Sequence, residues 1–272
     1  MARRYSPAKP RATDAVKGSP VKIHIFVSFS LVSALFAGLG WVPPSAAGQN
    51  VEIPPPLVSP APGEGTPNLN GIWTGPDILF EEAVRRALGG ELPPFTPYGL
   101  ERWENKDLTQ DPGGFCQPRA TVRVFHSPMY FQIIQTEGLV TFLFELEHQY
   151  HRVFTDGRDH PEPLDITWWG SSIGRYEGNR FVVETIGLDD RSWLFTAGLQ
   201  HSEQLRFTQI FEKTGLDTIA YTETYEDPVF FTEPWSISFD LDRQEFDMLE
   251  VICEDNNRDP YHYGSGNREL AP

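Results

Sequence analysis

Two imidazoles, a phenol and a guanidinium close the run Thr-Phe-Leu-Phe-Glu-Leu-Glu-His-Gln-Tyr-His-Arg, Thr141 to Arg152. Read as one β-strand, its side chains alternate between two faces. One face carries Phe142, Phe144, Leu146, His148, Tyr150 and Arg152; the other carries Leu143, Glu145, Glu147, Gln149 and His151. The first face begins as apolar core and ends in groups that move protons and bind anions. A buried guanidinium without a partner is costly, so that end is expected to meet water, an anion or a bound molecule. The structural alternative is a strand running out to the solvated rim of a sheet, with Arg152 simply exposed.

More groups of this kind sit at the expected strand ends. Asp156, Arg158 and His160 follow in the adjoining turn, His201-Ser202-Glu203 precedes a strand, and Asp227 ends another. A His beside a carboxylate is fixed in one tautomer and works as acid or base. Arg holds a carboxylate or a developing oxyanion by parallel hydrogen bonds. In the catalytic reading His148 moves the proton, Arg152 or Arg158 stabilises negative charge, and Glu203 or Asp227 orients a His such as His201. Tyr150, Arg158, His160, Trp168, Trp169, Trp193, Phe207 and Tyr221 supply walls for an apolar or aromatic small molecule. The chemistry is then metal-free acid–base work of lyase, isomerase or cyclase type, with no cofactor. A carrier that uses the same cavity without chemistry is the second reading. A structural domain with a filled barrel is a third.

Other site types have less support. Three zinc ligands must converge on one point, and His148 and His151 fall on opposite faces of a strand. A metal-dependent hydrolase would need a set from distant strands, such as His148, His160 and His201. Gly170-Ser171-Ser172-Ile173-Gly174 has the letters of a nucleophile elbow, but an elbow joins a strand to a helix. This stretch leads into a β-hairpin and reads as a turn with two serines. No phosphate-binding glycine loop is present.

The elements expected to position these groups are strands. Gly71-Ile72-Trp73 opens the first, with a Gly-x-Trp of the kind that plugs one end of lipocalin-like barrels. Asp77–Leu88 and Tyr98–Asn105 are expected as short helices, the first capped by Asp77. From Thr121 on, strand follows strand: 129–135, 139–154, 172–176, 180–186, 203–211, 218–225, 235–241 and 246–253, mostly across tight turns. The expected fold is all-β, an antiparallel meander of about nine strands curled into a lipocalin-like barrel or half-barrel. A two-sheet sandwich is the alternative.

The N-terminus has a different composition. Arg3, Arg4, Lys9, Arg11, Lys17 and Lys22 precede an apolar run from Ile23 to about Val42, followed by Ser45-Ala46-Ala47. That order is the pattern of a cleaved export signal over 1–47, although about 20 apolar residues also suffice for an anchor. Residues 48–67 are a Pro-rich linker, 68–255 one barrel domain, and 256–272 a polar tail. The leader holds six of the 22 Lys+Arg and one of the 38 Asp+Glu, leaving 16 basic and 37 acidic residues, a net of −21. Such a surface repels nucleic acid and anionic lipid, so a small molecule is the expected partner, with no membrane contact after cleavage. The only two cysteines, Cys116 and Cys253, are expected to form a disulfide in an exported chain.

The same stretch resembles a large family of bacterial exported proteins. The matching residues are Glu147-His148 with Arg152, Asp156-Gly157-Arg158-Asp159-His160-Pro161, Thr167 to Gly178, His201 to Arg206, Glu226-Asp227-Pro228 and Pro234-Trp235. Tyr176 stands where the family usually has Trp, and Asn179-Arg180 where it usually has Asp-Thr. The resemblance covers roughly Cys116 to Cys253. It implies a β-rich exported fold and no particular reaction.

Overall fold

Alternating apolar residues followed by a glycine able to adopt positive φ recur along the chain, and they fold as hairpins. The computed structural model describes residues 65–76, 81–255 and 257–258. Its strands are β1 (Gly71–Thr74), β2 (Tyr130–Thr136), β3 (Leu139–Phe144), β4 (Tyr150–Phe154), β5 (Ser171–Glu177), β6 (Arg180–Ile186), β7 (Arg206–Lys213), β8 (Thr218–Glu226) and β9 (Trp235–Gln244). They pair in chain order, and β1 pairs with β9 to close a barrel. The β2–β3 and β5–β6 turns carry Gly138 at φ 71° and Gly178 at φ 61°, a conformation that glycine adopts without a Cβ penalty.

One pairing departs from the expected antiparallel meander. After β4 the chain runs through the crossover 155–170 and returns in the same direction, so β5 lies parallel to β4. They share a single register pair, Phe154 with Ile173.

The expected strand from 141 to 152 is broken. β3 ends at Phe144 and β4 starts at Tyr150. Between them Glu147 and His148 take positive φ values of 59° and 49°. In the resulting hairpin Phe142 opposes His151 and Val140 opposes Val153. The inward positions therefore switch from even numbers on β3 to odd numbers on β4. His151 and Val153 are buried, whereas His148, Tyr150 and Arg152 are exposed. The face expected to carry His148 and Arg152 inward does not exist. Two more expectations fail. Residues 246–253 form no strand, only an isolated bridge from Val251 to Leu146, and β7 begins at Arg206 rather than at Glu203.

The barrel interior is filled. Phe125, just past the short helix α3 (Thr121–Val124), meets Phe131, Phe142, Phe144 and Phe211 at ring-centroid distances of 5.0, 5.5, 5.4 and 5.8 Å. Trp73 is fully buried in the same core, and its indole N–H donates to the Leu69 carbonyl at 2.9 Å. A second apolar cluster joins Phe207, Tyr225 and Trp235 of the barrel to Val84 of α1 (Glu81–Ala87) and Trp103 of α2 (Pro97–Glu104). Both helices fall where expected. The Asp77 cap, the leader, residues 48–64 and residues 259–272 lie outside the described residues.

Cys116 and Cys253 form a disulfide with Cα atoms 5.5 Å apart, across a sequence separation of 137. Among the described residues no helix is long and apolar enough to cross a membrane.

Candidate functional site

Strands that share one register pair leave the rest of their edges unpaired. Along this β4–β5 seam lies a cleft of about 600 Å3, the size of a small-molecule site. Tyr150, His151, Arg152 and Phe154 line it from β4, Trp169 from the crossover, and Ser171 from the start of β5. His148 reaches it from the β3–β4 turn.

His151 is the distinctive group. Its side chain is inward and 3% exposed. Among the described residues neither ring nitrogen has a hydrogen-bond partner. The ring stands edge-on to Phe142 at 6.1 Å and to Trp169 at 5.3 Å. Burial drives its pKa down to about 3, because the charged form has nothing to replace its water. At neutral pH the imidazole is uncharged, with one N–H donor and one acceptor, both buried and without a partner among the described residues.

The turn beside it is strained. Left-handed φ at a non-glycine residue costs about 1–3 kcal/mol, and Glu147 and His148 adopt it in succession. The C-terminal segment holds them there. Glu147 N–H donates to the Val251 carbonyl at 2.8 Å. The Glu145 carboxylate accepts the backbone N–H groups of Tyr130, at 3.1 Å, and of Leu249. That segment is then tied down by the disulfide at Cys253. A smaller cavity of about 290 Å3 adjoins this turn, lined by Glu147, His148, Cys116 and Glu254 among others. Burial there raises the Glu147 carboxyl above its usual range, against the opposing pull of Arg119.

On the outer side of the seam, Ser171 Oγ lies 3.0 Å from His160 Nδ1. His160 Nε2 lies 3.3 Å from Glu184 Oε1, and Arg206 contacts the other Glu184 oxygen at 2.5 Å. Burial pushes the Glu184 carboxyl up, but the hydrogen bonds and charges of Arg206 and His160 outweigh it and hold it below its usual range.

No family model, curated protein or solved structure matches the chain.

The cleft gathers four of the expected site residues, His148, Tyr150, Arg152 and Trp169, with His160 bonded at its outer edge. The others lie elsewhere. Arg158 is exposed, forks onto Asp156 and lies 3.9 Å over the Phe154 ring. Trp168 stacks under Arg191 at 5.1 Å. Trp193, Phe207 and Tyr221 are core. His201 is buried: its Nε2 is 2.8 Å from Ser192 Oγ and its Nδ1 is 2.9 Å from the Ser202 carbonyl. Burial lowers its pKa, and the neutral ring donates from Nδ1 to the Ser202 carbonyl. Glu203 is exposed and does not touch it. Asp227 caps the Ser202 turn instead of orienting His201, accepting from Ser202 N–H at 2.6 Å and from Val229 N–H at 3.0 Å. His148, His160 and His201 do not converge, and the described residues hold no group of three or more His, Cys, Asp or Glu fit to bind a metal.

Sequence reasoning also passed over His126. Its Nε2 is 2.7 Å from Glu223 Oε2, both side chains are fully buried, and Tyr225 donates its hydroxyl to the same carboxylate. The signal was Glu223, a carboxylate between Tyr221 and Tyr225 on a core face, which requires a buried partner.

Proposed function

We propose that this is an exported small-molecule-binding protein whose ligand occupies the β4–β5 cleft. The observation that carries this reading is His151: a buried imidazole on the cleft wall whose nitrogens have no partner among the described residues. A ligand supplies the missing hydrogen bonds. Trp169, Tyr150 and Phe154 suit a flat aromatic or apolar body. Arg152, exposed on the same wall, suits an anionic head at the mouth. The ligand class is an aromatic or apolar acid carrying a hydroxyl or amide that reaches His151.

Acid–base catalysis by His151 has less support. An efficient proton-transfer group titrates near the working pH, and a pKa of about 3 leaves this imidazole almost wholly neutral at pH 7. Export is supported by the basic-then-apolar leader and by the disulfide.

The test is a thermal-shift screen of aromatic hydroxy acids against the purified protein, with mass spectrometry of the recovered ligand. Stabilisation by at least one such acid, lost in His151→Ala, is the expected result. A screen with no stabilised condition, or one in which His151→Ala binds equally well, removes the assignment.

A further inference from the structure

Among the described residues two Ser–His pairs occur, Ser192–His201 and Ser171–His160, and the second has its serine on the cleft. Ser192 and His201 are both buried, away from the cleft lining. Ser171, by contrast, lines the cleft. Its hydroxyl is followed outward by His160 at 3.0 Å, the Glu184 carboxylate at 3.3 Å from the ring, and Arg206. Four different segments supply these groups: the start of β5, the crossover, β6 and the start of β7.

Ser171 and Glu184 come together because of register. Ile173 opposes Glu184 and Ser171 opposes Ile186, so Ser171 and Glu184 share the outward face of adjacent strands. The crossover lays His160 between them. A nucleophile hydroxyl, an imidazole and a carboxylate in that order are recognised by geometry and role rather than by chain order or fold. No strand-to-helix elbow is needed, because the parallel seam leaves the start of β5 open to the cleft.

We propose that Ser171, His160 and Glu184 form a hydrolytic triad that cleaves esters of the aromatic or apolar acids bound in the cleft. This rests on the cleft being the ligand site. The Ser171 hydroxyl passes its proton to His160 Nδ1 as Oγ attacks the ester carbonyl. The imidazolium is stabilised by Glu184, which Arg206 holds ionised and in place. His160 then gives that proton to the leaving alkoxide, releasing the alcohol and leaving an acyl group on Ser171. Water enters, loses a proton to His160 and attacks the acyl carbon. The acid departs, and the proton returns to Ser171. Arg152, on the same cleft wall, supplies positive charge to the oxyanion. Glu184 acts as a positioning residue.

The test uses 4-nitrophenyl benzoate as substrate and an alkyl fluorophosphonate as trap, with the intact disulfide-bonded protein. The trap is expected to add to Ser171, identified by peptide mass spectrometry. Ser171→Ala and His160→Ala are expected to reduce turnover by about 100-fold or more, while Ser192→Ala leaves it unchanged. Glu184→Gln is expected to lower kcat with KM unchanged, since the imidazolium formed in the transition state loses its carboxylate. A purely structural latch would not produce that split. No adduct at Ser171, or equal turnover by wild type and Ser171→Ala, overturns the triad. Thermal-shift binding of the free acid by the wild type separates the two readings: a wild type that binds the acid but does not hydrolyse the ester ends the triad alone, and binding absent in the wild type ends the cleft assignment as well.

Discussion

His151 lies directly opposite Phe142 across the β3–β4 ladder, and this pairing puts the imidazole among aromatic rings instead of in water. The ring stays neutral in the folded protein down to about pH 3, whereas an unfolded chain protonates near the ordinary value of about 6.5.

Stability should therefore depend on acidity through this residue. Above about 6.5 both states are neutral and the dependence vanishes. Below it the unfolded chain binds the extra proton, and stability falls by about 1.4 kcal/mol per pH unit until the folded pKa is reached. Urea unfolding at pH 7 and pH 5 should show wild type losing about 2 kcal/mol more than His151→Phe. The depressed His201 acts in the same direction in both proteins and cancels. Equal losses would show that the imidazole is already charged or hydrated in the fold.

The β3–β4 turn trades stability for position. Replacing His148, at φ 49°, by glycine removes the left-handed penalty and is expected to stabilise the protein by about 1 kcal/mol. The same change deletes a side chain from the cleft and should weaken acid binding. A thermal melt paired with a binding titration checks both halves. A destabilised variant would mean that the His148 side chain is holding the turn.

Reduction of the disulfide should reach the cleft. Cys253 anchors the segment whose Val251 carbonyl fixes Glu147. Replacing Cys116 and Cys253 by serine is expected to cost about 2–5 kcal/mol and to weaken ligand binding at temperatures where the barrel is still folded. Circular dichroism alongside titration separates the two effects.

The His126–Glu223 pair is expected to matter for folding and not for binding. Removing one member of a buried pair strands the other, at about 3–5 kcal/mol. His126→Ala should lose that much in denaturant unfolding. A change below about 1 kcal/mol would show that Tyr225, which also donates to Glu223, satisfies the carboxylate alone.

Much of the barrel was legible because alternation and glycine turns are local signals. β6 was expected at 180–186 and runs Arg180–Ile186, and Gly178 marks its hairpin. The cleft was harder to read. The run 141–152 alternates without interruption, and no Gly, Asn or Pro announces the break, since Glu147 and His148 turn against their own preference. Their conformation is imposed by Leu249 and Val251, about a hundred residues away in sequence. One misread break exchanged the two faces of β4. It moved Arg152 from interior to rim and His151 from rim to interior. The parallel seam left no mark either, because direction depends on where the crossover lands. His160 was legible as a candidate; its partner Ser171 was set aside because the expected local motif demanded a helix.

The single pair that joins Phe154 to Ile173 makes the seam the place where the barrel tolerates change most easily. Within the crossover, Thr167 bridges Leu188 and His160 bonds Ser171, so it is at 161–166, which enter no strand pairing, that the entrance can be reshaped while the ladder stays shut. New ligand preferences are therefore best sought by varying that loop, with the filled lumen left alone.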